Sequence, residues 1–124
     1  MISEKLISIR PFIGSLNFDL SRDFYREIGF EETRLGPDFS VFEGQGVGFY
    51  LQNAHVKEWI DNTMVFLEVA DADAFYEEMK SKDLPGRFPG ARLLPVSEHH
   101  WGKKGFFYDP SGILWHFGTF KFRK

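Results

Sequence analysis

The chain repeats itself, and that repeat limits what it can fold into. Phe24-Tyr25-Arg26-Glu27 and Phe75-Tyr76-Glu77-Glu78 are two copies of one helical signature. Each follows an apolar run and precedes three more. In the first half, residues 6–13 read as a strand, with Pro11 requiring an edge or a bulge because it cannot donate to a ladder. A helix over about 20–28 puts Leu20, Phe24, Tyr25 and Ile28 on one face. Asn17 or Asp19 caps it and Gly29 ends it. Strands follow at 30–35, 39–43 and 47–52, separated by Gly-containing turns.

The second half retraces this order. A strand at 64–69 leads into a helix over 72–82 that Asp71 or Asp73 opens. A strand at 92–96 and a closing hairpin follow, with arms at 106–108 and 113–117 around Asp109-Pro110-Ser111-Gly112. Pro presets φ in that turn, and Gly tolerates what a Cβ would forbid. Residues 55–60 are a polar connector holding Trp59, and 84–90, rich in Pro and Gly, read as loop. The plan is β-α-β-β-β twice. The fold class is α+β, built from two βαβββ modules at about 5–53 and 62–122 within one domain of 124 residues.

Composition narrows the function. The 15 Phe residues exceed what a chain of this size ordinarily carries, so some rings are expected to line a pocket for a flat apolar ligand. A net charge of −3 gives no footprint for nucleic acid, and the basic tail Lys121, Arg123, Lys124 reads as a solvated terminus. No Cys is present, which removes thiolate chemistry and fits a cytoplasmic setting. No signal pattern or membrane-length apolar run occurs. The pairs Glu31-Glu32 and Glu77-Glu78 read as solvated faces.

Three pieces resemble a known superfamily: Phe24 through Phe30 (Phe-Tyr-Arg-Glu-Ile-Gly-Phe), Phe66-Leu67-Glu68-Val69-Ala70-Asp71, and Phe106 through Gly112 (Phe-Phe-Tyr-Asp-Pro-Ser-Gly). On a repeated βαβββ plan they look like the glyoxalase, bleomycin-resistance and extradiol dioxygenase (vicinal oxygen chelate) superfamily. The loop 14–19 and Trp101-Gly102 bring the chain nearest to bleomycin-resistance proteins. The resemblance implies two half-barrel cups, a homodimer, and a small molecule bound in the cups or at the subunit junction.

Enzymes of that superfamily hold a divalent metal with His, Glu or Gln. Mapped by spacing, their positions fall near Arg10, Met64, Phe49 to Leu51 and His116. Only His116 is a ligand type, so no metal and no cofactor is expected; if a metal binds, His116 holds it. Alternation puts Leu114, His116 and Gly118 on one face of the last strand and Ile113, Trp115 and Phe117 on a uniformly apolar one. His116 is then either a satisfied core histidine or a cup-lining group, and Trp101 either stacks on a ligand or packs in a loop. The candidate ligand-binding residues are Trp101, His116, Phe39, Phe49, His99, Gly102 and Tyr108. The expected function is metal-free sequestration of a small aromatic or cationic molecule. The alternatives are a metal-dependent glyoxalase, dioxygenase or thiol transferase using His116, His99 and His100, and a domain with an interaction role.

Overall fold

The computed structural model describes residues 1–122; Arg123 and Lys124 of the basic tail lie outside the described residues. Each repeat forms one four-stranded sheet. The first has the order β1-β4-β3-β2, from β1 (Phe12–Ile13), β2 (Glu31–Gly36), β3 (Phe39–Gly44) and β4 (Val47–Gln52). The second has the order β5-β8-β7-β6, from β5 (Met64–Glu68), β6 (Arg92–His99), β7 (Gly102–Tyr108) and β8 (Leu114–Phe120). In both, the first strand runs parallel to the last and the other pairs are antiparallel. The sequence repeat is therefore a repeat in space, and the fold is α+β with two βαβββ modules.

The long helices are α1 (Phe18–Ile28) and α3 (Ala72–Ser81). Asn17 caps α1 through its side-chain oxygen, which accepts from the Leu20 N–H, and Asp71 does the same for Ala74 in α3. Gly29 ends α1 at φ 121°, a conformation a Cβ disfavours. Short helices α2 (Lys57–Asn62) and α4 (Leu84–Arg87) fill the two connectors. The expected loop at 84–90 is thus helical at its start, because Pro85 lies in the first turn, where its missing N–H costs nothing. No helix among the described residues is long and apolar enough to cross a membrane.

The strand expected over 6–13 shrinks to β1. Tyr50 donates its N–H to the Pro11 carbonyl, but Pro11 has no N–H to return, and the chain upstream leaves the ladder. Ile7 and Ile9 are 97% and 95% exposed there. The sixth strand runs three residues beyond the expected 92–96 and carries His99 within it, with an irregularity between Leu94 and Ser97 around Pro95.

One core joins the modules. Phe24 of α1 meets Phe88 and Phe107, and Tyr25 meets Phe42, Phe49 and Trp115. Phe75 of α3 covers Phe117 at 4.8 Å. Each such buried ring contributes roughly 1.5–3 kcal/mol. Glu32 was expected in a solvated pair; instead it is 7% exposed under α1, with Arg22, Arg26 and Ser40 donating to it. Burial alone would lift its pKa, yet these donors hold it down to about 2. The pairing therefore stabilises the fold above pH 4.5 and is lost as pH falls toward 2.

The deepest polar contact ties α1 to the Asp109 turn. The Tyr25 hydroxyl donates to Asp109 Oδ2 at 2.6 Å and accepts from Trp115 Nε1 at 3.0 Å. Asp109 Oδ1 accepts from the N–H groups of Ser111 and Ile113, both at 2.9 Å. Ser111 Oγ accepts from the Leu16 N–H at 2.8 Å, seating the turn on the loop before α1. Burial raises the Asp109 pKa to about 6 despite these donors. An acid harder to ionise when folded costs stability as pH rises from its unfolded value of 3.8 through 6, by about 3 kcal/mol in all. Asp109→Asn should remove this dependence. Its melting temperature, set against that of the wild type by calorimetry, should gain on the order of 10 °C between pH 4 and pH 7. Parallel curves would mean that the carboxyl ionises as easily folded as unfolded.

Candidate functional site

Strand alternation turns one face of each sheet to the shared core and leaves the other open. On the second sheet Trp115 and Phe117 face the core, while Leu114, His116 and Gly118 face out. The register sets Phe106 of β7 and Phe66 of β5 on either side of His116. At Gly118 a Cβ would lie 2.8 Å from the Phe66 ring, so its absence lets that ring lie across the sheet. The result is a continuous aromatic array. His99 stacks on Trp101 at 5.2 Å and 11°, and Trp101 meets Phe120 at 5.0 Å. Phe120 meets Phe66 at 5.7 Å, Phe66 stacks on His116 at 6.1 Å and 19°, and His116 meets Phe106 at 4.7 Å. Two cations border it: Lys104 Nζ lies 4.8 Å over Phe106, and the Arg92 guanidinium 5.2 Å over Tyr108. A cationic guest on this face would meet both.

The first sheet carries the smaller counterpart. Phe12 and Tyr50 face each other across the parallel β1–β4 pair, stacked at 4.8 Å and 26°, and Phe39 meets Tyr50 at 6.4 Å. Phe66 and His116 hold the same relation across β5–β8. The repeat thus places one ring pair on the open face of each module. Phe12 is 58% and Phe66 44% exposed, in keeping with faces that no other described residue covers. Arg10 lies on the first face, bonded to Glu43.

The structure gathers Trp101, His99 and His116 into the array and sets Tyr108 at its margin under Arg92. Phe39 belongs to the other sheet. Phe49 joins neither open-face set: it packs into the core, edge-on to Tyr25 at 4.8 Å and Trp115 at 5.2 Å. Gly102 is buried, and a Cβ there would collide with the Thr119 carbonyl, so its part is to let β7 and β8 cross closely. Trp59 is exposed on α2. Sequence reasoning missed Phe12, Tyr50, Phe66 and Phe120. The alternation Met64, Phe66, Glu68 in β5 was the available signal for Phe66, and aligning the two repeats was the signal for Phe12. Beside Phe66 and Phe120 a cleft of about 660 Å³ runs between the modules, bounded by Val47, Gly48, Val65 and Leu67 and floored by Phe49.

Two buried polar atoms among the described residues lack a hydrogen-bond partner, His116 Nε2 and Arg10 Nε. Each belongs to the open-face set of one sheet, and an unsatisfied buried group calls for an explanation. His116 has its pKa lowered by burial first and by the Lys104 charge second, so the imidazole is neutral at pH 7. A divalent metal does not suit these side chains. The residue opposite His116 on β5 is Phe66, not Met64, and the residue facing Tyr50 on β1 is Phe12, not Arg10. Neither phenylalanine has a lone pair to donate, and the Lys104 ammonium repels a cation. Among the described residues no three His, Asp or Glu side chains converge.

Solved structures share this architecture. A bleomycin-binding protein from Streptomyces verticillus, in complex with copper(II)-bleomycin, is 21% identical, with 92% of this chain and 96% of that one covered and a TM-score of 0.74. A bleomycin resistance determinant encoded on the transposon Tn5 is 19% identical, covering 93% and 98%, with a TM-score of 0.76. A lactoylglutathione lyase from Agrobacterium tumefaciens is 16% identical, covering 90% and 92%, with a TM-score of 0.63. No family model and no curated protein matches the sequence. The chain therefore has the glyoxalase/bleomycin-resistance fold, a scaffold shared by binding proteins and enzymes.

The two causes of the His116 shift can be separated by titration. In Lys104→Met the imidazole pKa, followed by its carbon-bound proton resonances, should rise from the wild-type value while staying below 6.5, because burial remains. An unchanged value would remove Lys104 from the neighbourhood of that ring.

Proposed function

We propose that this chain is a small-molecule-binding protein that holds a flat aromatic ligand without altering it and works as a homodimer. The observation that carries this reading is the continuous run of rings from His99 to Phe106 on an open sheet face. Rings so arranged bind other rings by offset stacking and edge contacts. They also attract cations; the first sheet, where Glu31 and Glu43 face each other across β2–β3, suits a cation better than the second. Support also comes from the shared fold, since two of the solved proteins bearing it are described as bleomycin-binding or as a bleomycin resistance determinant. The poor fit of His116 to a metal favours binding over metal-dependent lyase or dioxygenase chemistry, and the lack of Cys favours a cytoplasmic setting.

The homodimer draws support from surface that a lone chain leaves bare. Ile7, Ile9, Phe12, Met64 and Phe66 are all exposed, a density of apolar groups that a soluble monomer seldom presents. A second copy would cover them and roof the open faces, turning each shallow floor into an enclosed site.

The test is a thermal-shift screen of aromatic compounds against purified protein, with and without divalent metals and chelator. Binders should raise the melting temperature in proportion to their affinity, independently of chelator. Trp101→Ala should weaken the best of them about tenfold, with little loss of fold stability because that ring is only half-buried. Light scattering should give a mass of twice 14.4 kDa. A stoichiometric metal that His116→Ala removes would overturn the reading in favour of an enzyme.

A further inference from the structure

The open face of the second sheet carries more than rings, and its charges define the guest. Lys104 stands over Phe106, and no carboxylate among the described residues pairs with its ammonium. Arg92 stands over Tyr108, likewise without a carboxylate partner there. His116, which shares Phe106 with Lys104, holds an Nε2 that is buried and unbonded. The register puts Arg92 opposite Tyr108 and Lys104 opposite Gly118, so the cations flank the row Phe106–His116–Phe66. The neighbouring lysine differs. Lys103 points to the helix side and is bonded to Asp73, with Glu98 beside it. Glu68 is the one acidic side chain in the face's own rows, opposite Gly118 on β5. A chain of net charge −3 has thus concentrated positive charge and an unpaired ring nitrogen around an aromatic floor.

We infer that this face selects planar aromatic anions, with the ring system on Trp101, Phe120 and Phe66 and the negative oxygen between Lys104 and His116 Nε2. The inference rests on the binding function proposed above and fixes the ligand's charge, which the rings alone leave open. Gly118 serves it twice: it lets Phe66 lie flat, and it leaves no side chain between Lys104 and the floor. A neutral imidazole offers an N–H to a carboxylate without the cost of burying a second charge. A charge-assisted contact from Lys104 adds the discrimination.

Three probes with one ring system and three charges test this by calorimetric titration of the full chain: 2-naphthoate, 2-naphthamide and 2-naphthylmethylammonium. The naphthoate should bind about tenfold tighter than the amide, and the ammonium probe weakest. In Lys104→Met the acid-to-amide ratio should fall to about unity, and Lys104→Arg should restore it. Trp101→Ala should weaken all three probes alike. An ammonium probe that binds as tightly as the acid overturns the inference while leaving aromatic binding intact. So does a Lys104→Met variant that loosens self-association and keeps the ratio, because the ammonium would then serve the contact between copies. No binding by any probe counts against both readings.

Discussion

The buried Asp109 carboxyl holds the architecture together. It sits at the tip of the closing hairpin and takes the hydroxyl of Tyr25 from a helix in the other module. Trp115 donates to the same hydroxyl, so three groups distant in sequence satisfy one another in the core. Removing one member would leave the others unbonded and out of reach of water, a loss of about 1–3 kcal/mol for each polar group stranded. The contact also pins the Asp109 turn against α1, and Ser111 ties the same turn to the loop before that helix. Both inner faces then close on one core and both outer faces stay free. The site is a by-product of that docking.

The repeat has diverged where it needed to. Tyr25 and Tyr76 occupy matching places, yet Tyr25 is buried and bonded while Tyr76 is half-buried with Lys80 nearby. The first helix serves the union of the modules and the second covers its own sheet. On the open faces the ring pairs Phe12–Tyr50 and Phe66–His116 keep the symmetry. Only the second module extends its pair into a long array, through Trp101, Phe120 and His99. That asymmetry is why the proposed binding floor is the second sheet.

Much of this was legible in the chain. The doubled Phe-Tyr signature and the Asp-Pro-Ser-Gly turn forecast the two modules. The alternation in β8 forecast which way His116 and Trp115 face. What escaped the sequence depended on contacts between distant segments. Phe49 looks like any strand aromatic until α1 lands on it. Glu32 reads as solvent-facing until Arg22 and Arg26 fold over it, because a burial that several donors compensate leaves no trace in local pattern. Strand β1 was overdrawn because its apolar residues suggest a ladder that Pro11 cannot complete. Phe66 was missed because the alternation in its edge strand points nowhere until the partner strand is known, and Phe120 because it lies past 117, where the last strand was expected to end.

The same buried link bears on how the chain reaches its native state. Leu16 and Tyr25 wait for Ser111, Asp109 and Trp115, partners 84 to 95 residues downstream. Loops of that length close slowly, and contacts this distant in sequence place a fold among those that form over milliseconds to seconds. During synthesis the first module emerges with its tyrosine hydroxyl unmatched until almost the last strand is made. Cooperativity is then a property of the whole chain: neither half can bank its core before the other arrives.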